Sequence, residues 1–303
     1  MQRSLFSLAA IAAAVSLGAA PLQAQEPVTV SSKIDTEGSV LGELIVQRLE
    51  AGGVEVEERL QLGATSIVRE ALLAGEIDLY PEYTGNGAFF FDMTGSDVWH
   101  DAQAAYETVR ERDAENGLTW LTPAAANNTW AISVRGELAR DHDLTTLEDL
   151  ATYLQEGETF KLAASAEFVE SEQALPAFQE AYGFELGDDQ LLVLSGGNTA
   201  STMRAAAQQT SGVNAAMTYG TDGGLKALDL VVLEDTLGVQ PIYQPAPVVR
   251  SEVLEAWPEI DDLLAPLFAA LDLDTLQRLN GDVAVNGRPP ADVAADFLSQ
   301  LEE

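Results

Sequence analysis

The sequence predicts an α/β protein built from two domains, and three observations lead to this prediction. Short β-rich runs alternate along the chain with amphipathic helical stretches, a pattern typical of α/β architecture. Polar, aromatic or glycine residues recur directly after the β-rich runs. The chain has 303 residues, and because a single hydrophobic core stops growing at about 250–300 residues, we expect more than one core.

The predicted elements follow one another in a regular order from residue 28. Apolar residues recur at helical spacing over 40–49 and stop at Gly52-Gly53, a typical helix end. Thr145 and Glu148 have the spacing of a capping box ahead of another helix. Strands are predicted over 28–32, 54–60, 77–80, 118–121, 160–164, 191–194 and 215–219; the second domain is expected to begin near 129–134, and 230–233 to lead the chain back. Helices are predicted over 40–49, 66–74, 97–116, 147–154, 171–182 and 199–209.

The strand ends predict where a ligand would bind. We place domain 1 at 25–128 plus 236–303 and domain 2 at 129–235. Residues 81–85 are expected to leave regular structure after the third strand. Candidate binding side chains follow the strands at Ser32, Tyr80 to Gly85, Ser165, Ser195 to Asn198 and Tyr219 to Asp222. In open α/β sheets ligands bind at the carboxyl ends of strands, and two such edges facing each other make a cleft.

Residues 1–24 have the layout of a secretory signal peptide rather than of a buried amino-terminal helix. Arg3 gives a basic start, residues 5–20 are almost wholly apolar, and Ala24 is a small residue ahead of Gln25. We expect cleavage after Ala24 and a mature chain in the periplasm. The chain has no Cys, so we expect no disulfide, no lipid attachment and no thiolate chemistry.

The charge of the chain argues against one class of partner. Lys and Arg number 15 and Asp and Glu number 49, a formal net charge of −34 spread along the whole sequence. Such a surface repels nucleic acid, which is itself a polyanion. Two interpretations stay open: a solvated acidic surface suited to a saline environment, and long-range attraction of cationic ligands.

The residues that enzymatic chemistry would need are scarce. The chain has only two histidines, His100 and His142, and neither follows a predicted strand. No G-x-S-x-G, P-loop or G-x-G-x-x-G motif occurs. The sequence therefore predicts a protein that is not an enzyme and that uses neither a metal nor a cofactor.

Aromatic residues stand beside carboxylates and glycines at the predicted strand ends. Tyr83 follows Glu82, Tyr219 precedes Asp222, and Trp130 and Tyr243 lie at the predicted domain boundaries. A quaternary ammonium group donates no conventional hydrogen bond, and proteins hold it against aromatic faces at roughly 0.5–2 kcal/mol each. This combination favours a ligand of that kind.

Several segments resemble the glycine betaine/choline (osmoprotectant) binding proteins of ABC importers over essentially the whole predicted mature chain. The most specific is Tyr80-Pro81-Glu82-Tyr83-Thr84-Gly85; the others are residues 28–38, 62–65, 127–130, 162–168, 216–223 and 241–243. The resemblance implies a two-domain periplasmic-binding-protein (Venus flytrap) fold with two crossover segments. It also implies a membrane permease and a cytoplasmic ATPase as partners of a monomer.

The resemblance also implies an aromatic cage around a trimethylammonium group. Tyr219 and Tyr243 match cage positions, and Trp130 falls where relatives often have tyrosine. The predicted ligand-binding residues are Tyr83, Trp130, Glu167, Tyr219, Asp222 and Tyr243, with Thr36 and Thr84 as further polar contacts.

One segment departs from the family pattern, and two other functions stay open. Asp35 to Gly38 stands where relatives commonly read Phe-Thr-Glu-Gln, which predicts weaker binding than in proteins with a full cage. A receptor for an amino acid or a polyamine is the alternative, with Arg69, Arg204 and Arg250 as candidates for binding an α-carboxylate. An exported α/β hydrolase is the more remote alternative.

Overall fold

The computed structural model describes residues 26–194 and 199–301. The predicted signal peptide, its cleavage point and the strand-end residues 195–198 lie outside the described residues. The described chain forms two five-stranded sheets joined by two short segments. We call 26–126 with 244–301 lobe 1, 130–239 lobe 2, and 127–129 with 240–243 the crossover segments.

The sheet of lobe 1 has the order β2-β1-β3-β10-β4. Its β1, β2 and β3 are parallel, and β10 runs antiparallel to both β3 and β4. The strands are β1 Val28–Lys33, β2 Val56–Gly63, β3 Leu79–Tyr83, β4 Leu118–Trp120 and β10 Pro245–Arg250.

The sheet of lobe 2 repeats this arrangement in the order β7-β6-β8-β5-β9. Its β6, β7 and β8 are parallel, and β5 runs antiparallel to both β8 and β9. The strands are β5 Trp130–Arg135, β6 Leu162–Ser165, β7 Leu191–Leu194, β8 Ala215–Tyr219 and β9 Leu230–Val232.

Helices pack against both faces of each sheet and bury its central strands, whereas the edge strands β2 and β7 stay partly exposed. Those of lobe 1 are α1 Thr36–Ala51, α2 Thr65–Ala74, α3 Gly87–Phe90, α4 Ala102–Ala114, α11 Ser251–Ala256, α12 Glu259–Ala269, α13 Leu273–Ala284 and α14 Pro290–Leu301. Those of lobe 2 are α5 Gly136–Asp141, α6 Leu147–Gln155, α7 Ala166–Glu170, α8 Leu175–Tyr182, α9 Thr199–Ala207 and α10 Gly224–Ala227. None of the described helices is long and apolar enough to cross a membrane.

The α/β fold class and the two-sheet organisation are confirmed. The chain returns to lobe 1 after residue 243, since α12, α13 and α14 share one apolar core with α1 and β1. The exact domain limits at 128/129 and 235/236 stay a prediction.

Three predicted elements were wrong in detail. Strand β3 continues through Pro81 to Tyr83, because Pro81 lies opposite Pro247 of β10 and the two missing N–H groups coincide. Helix α4 begins at Ala102 instead of at residue 97, because the Asp101 carboxylate accepts from the Ala104 N–H and caps it there. The predicted helix 171–182 begins only at Leu175, where Pro176 occupies the first turn.

Candidate functional site

A cavity of about 840 Å³ lies between the lobes, at the carboxyl ends of strands from both sheets. Lobe 1 contributes residues that follow β1 and β3, and lobe 2 contributes residues that follow β6 and β8. Both crossover segments line the cavity as well, through Asn128 and through Gln240, Pro241 and Tyr243. Among the described strand-end segments named from the sequence, Tyr80 to Gly85 and Tyr219 to Asp222 place residues in the cavity lining, whereas Ser32 and Ser165 are buried and do not line it.

The crossover segments are bonded to each other along one wall of the cavity. The Tyr243 N–H donates to Asn127 Oδ1 at 2.8 Å, and the Asn128 N–H donates to the Tyr243 carbonyl at 2.9 Å. The Thr129 hydroxyl donates to the Pro241 carbonyl at 2.8 Å. These bonds fix the backbone of Tyr243 at the boundary between the lobes.

Three half-buried aromatic side chains line the lobe 2 side and the crossover of the cavity: Trp130, Tyr219 and Tyr243. Trp130 and Tyr219 are directly opposite each other on β5 and β8, so their side chains lie on the same face of the sheet. The Tyr243 ring packs over Gly85, where a Cβ atom would lie 2.7 Å from Cδ1 of the ring. The three rings thus come from two strands and one crossover segment.

The two tyrosines stay neutral over the physiological pH range. Burial raises the pKa of Tyr219, and it raises the pKa of Tyr243 to about 12. The negative charge of Glu167, which is exposed in the first turn of α7, raises both pKa values further. A carboxylate therefore lies within electrostatic reach of both phenol groups.

Tyr83 also lines the cavity, but its hydroxyl and its ring already interact with other residues of lobe 1. Its hydroxyl donates to Glu37 Oε1 at 2.8 Å, and Lys33 Nζ lies 4.5 Å from the ring centroid. One face of this ring is therefore covered by a cation of the protein itself.

Lys33 is held at the lobe 1 side of the cavity by a buried carboxylate. Its Nζ donates to Glu82 Oε1 at 2.5 Å, and the Glu82 side chain is fully buried. Glu82 also accepts from the Tyr80 hydroxyl and from Asn86 Nδ2, each at 2.7 Å. Such a network satisfies the buried charge, which would otherwise be strongly destabilising.

Glu37, in the first turn of α1, is a second buried carboxylate at the cavity. It accepts from the Tyr83 hydroxyl, from Asn128 Nδ2 at 3.1 Å and from Asn280 Nδ2 at 2.6 Å. Burial raises the pKa of Glu37 to about 7, against the opposing effect of these hydrogen bonds, and the charge of Asp35 adds to the increase.

Asp222 anchors a turn at the lobe 2 side. Its carboxylate accepts from the Tyr219 N–H at 2.8 Å and from the Thr199 hydroxyl at 2.9 Å. Burial raises the pKa of Asp222 to about 6, although both hydrogen bonds oppose the increase. The side chain thus fixes the loop that carries Tyr219 while also lining the cavity.

The structure brings the predicted residues Thr36, Tyr83, Trp130, Glu167, Tyr219, Asp222 and Tyr243 to this cavity. Thr84, predicted as a further polar contact of the ligand, does not reach the cavity. This is because the side chain is fully buried and its hydroxyl donates to the Ile242 carbonyl and accepts from the Gln244 N–H. Thr84 instead joins β3 to the second crossover segment.

Several polar residues of the cavity were not among the predicted site residues, among them Lys33, Glu37, Asn128 and Asn280. Lys33 is the last residue of β1 and Glu37 lies in the first turn of the helix that follows it, so their position at a strand end could have marked them. Asn280 lies in α13, some 240 residues from Glu37 in the chain, and no local pattern marks it.

The arginines that an amino-acid receptor would use to bind an α-carboxylate lie outside the cavity. Arg69 pairs with buried Asp113 and Arg250 with Asp78, and Arg204 is exposed on α9. Lys33 is the one basic residue among the described residues that line the cavity. The described residues contain no group of His, Asp and Glu arranged to hold a metal ion.

Two α/β lobes, two crossover segments and a cavity between facing strand ends define a two-lobed solute-binding protein. The family described as the substrate binding domain of ABC-type glycine betaine transport systems matches residues 26–300. The chain is 60% identical over 289 residues to the glycine betaine-binding protein YehZ of Escherichia coli strain K12, covering 95% of this chain and 94% of that protein. It is 32% identical over 294 residues to a glycine-betaine-binding protein of Pseudomonas aeruginosa, covering 95% and 92%.

A solved structure of apo YehZ from Escherichia coli superimposes with a TM-score of 0.83 at 59% identity, over 91% of this chain and 99% of that one. The chain therefore belongs to the family of substrate-binding domains of ABC-type glycine betaine transport systems. The family resemblance inferred from the sequence motifs is confirmed. A protein of this family is a solute binder of a transport system and not an enzyme.

The raised pKa of Glu37 predicts a specific pH dependence of stability. Because its folded-state pKa of about 7 exceeds the ordinary 4.5, the folded chain binds more protons than the unfolded chain between these values. The free energy of unfolding should therefore fall as pH rises through this window. Glu37→Gln removes the titrating group, so the stability of the variant relative to wild type should rise by up to about 3 kcal/mol from pH 4.5 to pH 8.

Urea unfolding of both proteins at several pH values measures this difference. Titration of Asp222 and of the surface carboxylates is common to the two proteins and cancels in it. A difference that stays constant with pH would show that Glu37 titrates at its ordinary pKa in the folded protein.

Proposed function

We propose that this protein captures a quaternary-ammonium osmolyte, glycine betaine or choline, in the cavity between its lobes. The observation that carries the proposal is the placement of Trp130, Tyr219 and Tyr243 around one cavity beside exposed or half-buried carboxylates. The names of the relatives from Escherichia coli and Pseudomonas aeruginosa, both glycine betaine-binding, support the same class of ligand.

The ammonium group would lie against the three aromatic rings. Methyl groups around the nitrogen exclude a conventional hydrogen bond, so ring faces and nearby negative charge are the available attractions. Glu167 lies within electrostatic reach of both tyrosines and supplies that charge. Asp222 holds the loop that carries Tyr219, and its own carboxylate adds to the negative field.

The carboxylate of a zwitterionic ligand would turn toward Lys33. This residue is the one cation among the described lining residues, on the opposite lobe from Trp130 and Tyr219. Its ammonium has three N–H groups, and the bond to Glu82 uses one of them. A ligand with a positive head and a negative tail therefore matches the charges of the two lobes.

Two other ligand classes fit the cavity less well. An α-amino acid receptor needs a strong cation for the carboxylate and donors or acceptors for a protonated amine, and the described lining contains no arginine. A polyamine would use the lining carboxylates but would meet Lys33 as a repulsive charge. Spermidine and a set of amino acids are therefore the comparison ligands in any binding experiment.

The cellular setting follows from the family. We place the mature chain in the periplasm, as a monomer that delivers its ligand to a permease in the inner membrane with a cytoplasmic ATPase. Cleavage of the leader after Ala24 belongs to the same proposal. The description of the matched family as part of an ABC-type transport system supports these partners.

The segment that departs from the family pattern bears on affinity. Asp35 is exposed at the cavity, and its carboxylate caps α1 by accepting from the Gly38 N–H at 2.7 Å. A side chain at Gly38 would begin 2.6 Å from the Lys33 carbonyl, so the local backbone admits only glycine there. With no ring or amide at these positions, we expect weaker betaine binding than in relatives with a complete cage.

The aromatic contacts make a direct prediction. Tyr219→Ala or Tyr243→Ala should raise the dissociation constant for glycine betaine about tenfold, because each change removes one ring face worth roughly 0.5–2 kcal/mol. Tyr219→Phe and Tyr243→Phe are the matched controls, since they keep the ring and should bind nearly as wild type. Titration calorimetry measures all four variants; unchanged affinity in both alanine variants, with the fold intact, would place the ligand elsewhere.

The charge of Asp35 predicts a change in selectivity. Asp35→Asn keeps a good helix cap but removes a negative charge facing the cavity. Choline, a cation, should lose about threefold in affinity relative to zwitterionic betaine, since one screened charge at a few ångströms contributes under about 1 kcal/mol. Calorimetry with both ligands gives the ratio, and Glu180→Gln, an exposed charge on α8 outside the cavity, serves as control. A ratio identical to wild type would show that Asp35 plays no part in selectivity.

A further inference from the structure

Beyond the crossover segments the lobes contact each other directly at several places, among them the Gln173–Thr94 and His100–Gly238 hydrogen bonds and a contact beside the first crossover segment. In this last contact, residues 220–224 of lobe 2 meet α13 of lobe 1. The two backbones come so close that a Cβ atom on Gly223 would lie 2.0 Å from the Gly281 nitrogen. Gln277 Nε2 donates to the Gly220 carbonyl at 2.7 Å. This contact adjoins the loop that carries Tyr219 and Asp222.

One side chain in this contact bridges the lobes from a buried position. Asn280 is 4% exposed, and its Nδ2 donates to Glu37 Oε2 at 2.6 Å in lobe 1 and to the Thr221 carbonyl at 2.9 Å in lobe 2. A single amide group thus connects the first turn of α1 with the lobe 2 loop. Through Glu37 the same network reaches Tyr83 and Asn128 of the crossover segment.

Two other bonds of this contact also join the lobes, and the Gln277–Gly220 bond has the same amide-to-carbonyl chemistry but no buried carboxylate to orient its amide. The Lys226–Asp274 ion pair also joins lobe 2 to α13, but both side chains are largely exposed, and such pairs contribute little. The Asn280 bond that joins the lobes goes to the Thr221 carbonyl and is buried, and the bond to the Glu37 carboxylate within lobe 1 fixes the Asn280 amide in the orientation that makes it.

We propose that Asn280 is a positioning residue that ties Glu37 to the Thr221 carbonyl and thereby holds the 220–224 loop, with Tyr219 before it, in the ligand-binding arrangement. The effect on ligand binding rests on the function proposed above, whereas the effect on the lobes does not. Asn280 then acts on the ligand through the loop and not through a direct contact.

The arrangement also responds to protons. The titratable groups that face Glu37 are Asp35 on its own helix and Tyr83 at the end of β3; Asn128, Thr221 and Asn280 are neutral. All three side-chain partners in these hydrogen bonds donate to Glu37, so a protonated Glu37 needs an acceptor for its new proton. Oδ1 of Asn280 and Oδ1 of Asn128 are both buried without a hydrogen-bond partner among the described residues, and either amide can accept that proton once it turns. Turning the Asn280 amide to accept that proton would withdraw Nδ2 from the Thr221 carbonyl and release the loop.

Two substitutions and one control test the proposal. Asn280→Ala removes the bridge, and Asn280→Asp keeps the shape but replaces the donor with a second carboxylate. Asn286→Ala is the control, because Asn286 lies just beyond α13 and donates within lobe 1, to Asp282 Oδ1 at 2.9 Å. The mature protein is titrated with glycine betaine by calorimetry at pH 8 and pH 5.5.

The separation of the lobes is measured without ligand. The natural chain contains no Cys, so nitroxide labels at Glu111→Cys in lobe 1 and Glu180→Cys in lobe 2 report only the intended distance by pulsed electron paramagnetic resonance. Each Asn280 substitution is introduced into this labelled background.

We expect both Asn280 variants to bind betaine about tenfold more weakly at pH 8, the order of the cost of losing one buried hydrogen bond, while Asn286→Ala binds as wild type. The lobe separation should shift to longer distances in both variants, and Asn280→Ala should lose the part of the pH dependence that Glu37 carries. Unchanged affinity and distance in folded Asn280→Ala would overturn the proposal. Weaker binding with an unchanged distance would also overturn it, because Asn280 would then act by direct ligand contact. If wild type fails to bind betaine, the proposed function fails, and the distance measurement alone decides the role of Asn280.

Discussion

The hydrogen bonds between the two crossover segments are the constraint on which the rest of the site depends. Asn127 and Asn128 bond to the backbone of Tyr243 on both sides, and Thr129 bonds to Pro241. Strand β5 begins directly after Thr129, and β10 begins two residues after Tyr243. The pairing of the crossover segments therefore sets how the two sheets face each other across the cavity. The aromatic residues of β5 and β8 and the cation after β1 then meet across it.

The carboxylates of the cavity fall into two groups: those that are hydrogen-bonded inside the protein and those that are exposed to the cavity. Glu82 and Glu37 are buried and bonded within the protein, so they position Lys33, Tyr83 and Asn280. Glu167 is exposed to the cavity and remains available to a ligand. An acidic chain can therefore still present one cation to a ligand carboxylate, because a buried carboxylate holds that cation in place.

Much of the site could be predicted from sequence, because the carboxyl ends of strands from both sheets face the cavity. Tyr219 is the last residue of β8, and Glu167 comes just after β6; both line the cavity, as predicted. Their contact with a ligand stays a prediction. Thr84 was wrong because its hydroxyl bonds to the second crossover segment, a contact that local sequence cannot reveal. The capping box shifted by one residue, to Thr146 and Asp149, because both registers satisfy the same pattern. Asn280 depends on the packing of α13, and only the folded chain brings it to Glu37.

We propose that the aromatic rings and carboxylates of the cavity recognise the positive charge of the ligand and not only its shape. Competition calorimetry between glycine betaine and 3,3-dimethylbutyrate tests it most directly, because the second compound replaces the trimethylammonium group with a neutral tert-butyl group of the same shape. Three ring faces at roughly 0.5–2 kcal/mol each predict at least about tenfold weaker binding of the neutral compound. Equal affinity for the two compounds would show that the cavity does not recognise the positive charge of the ligand.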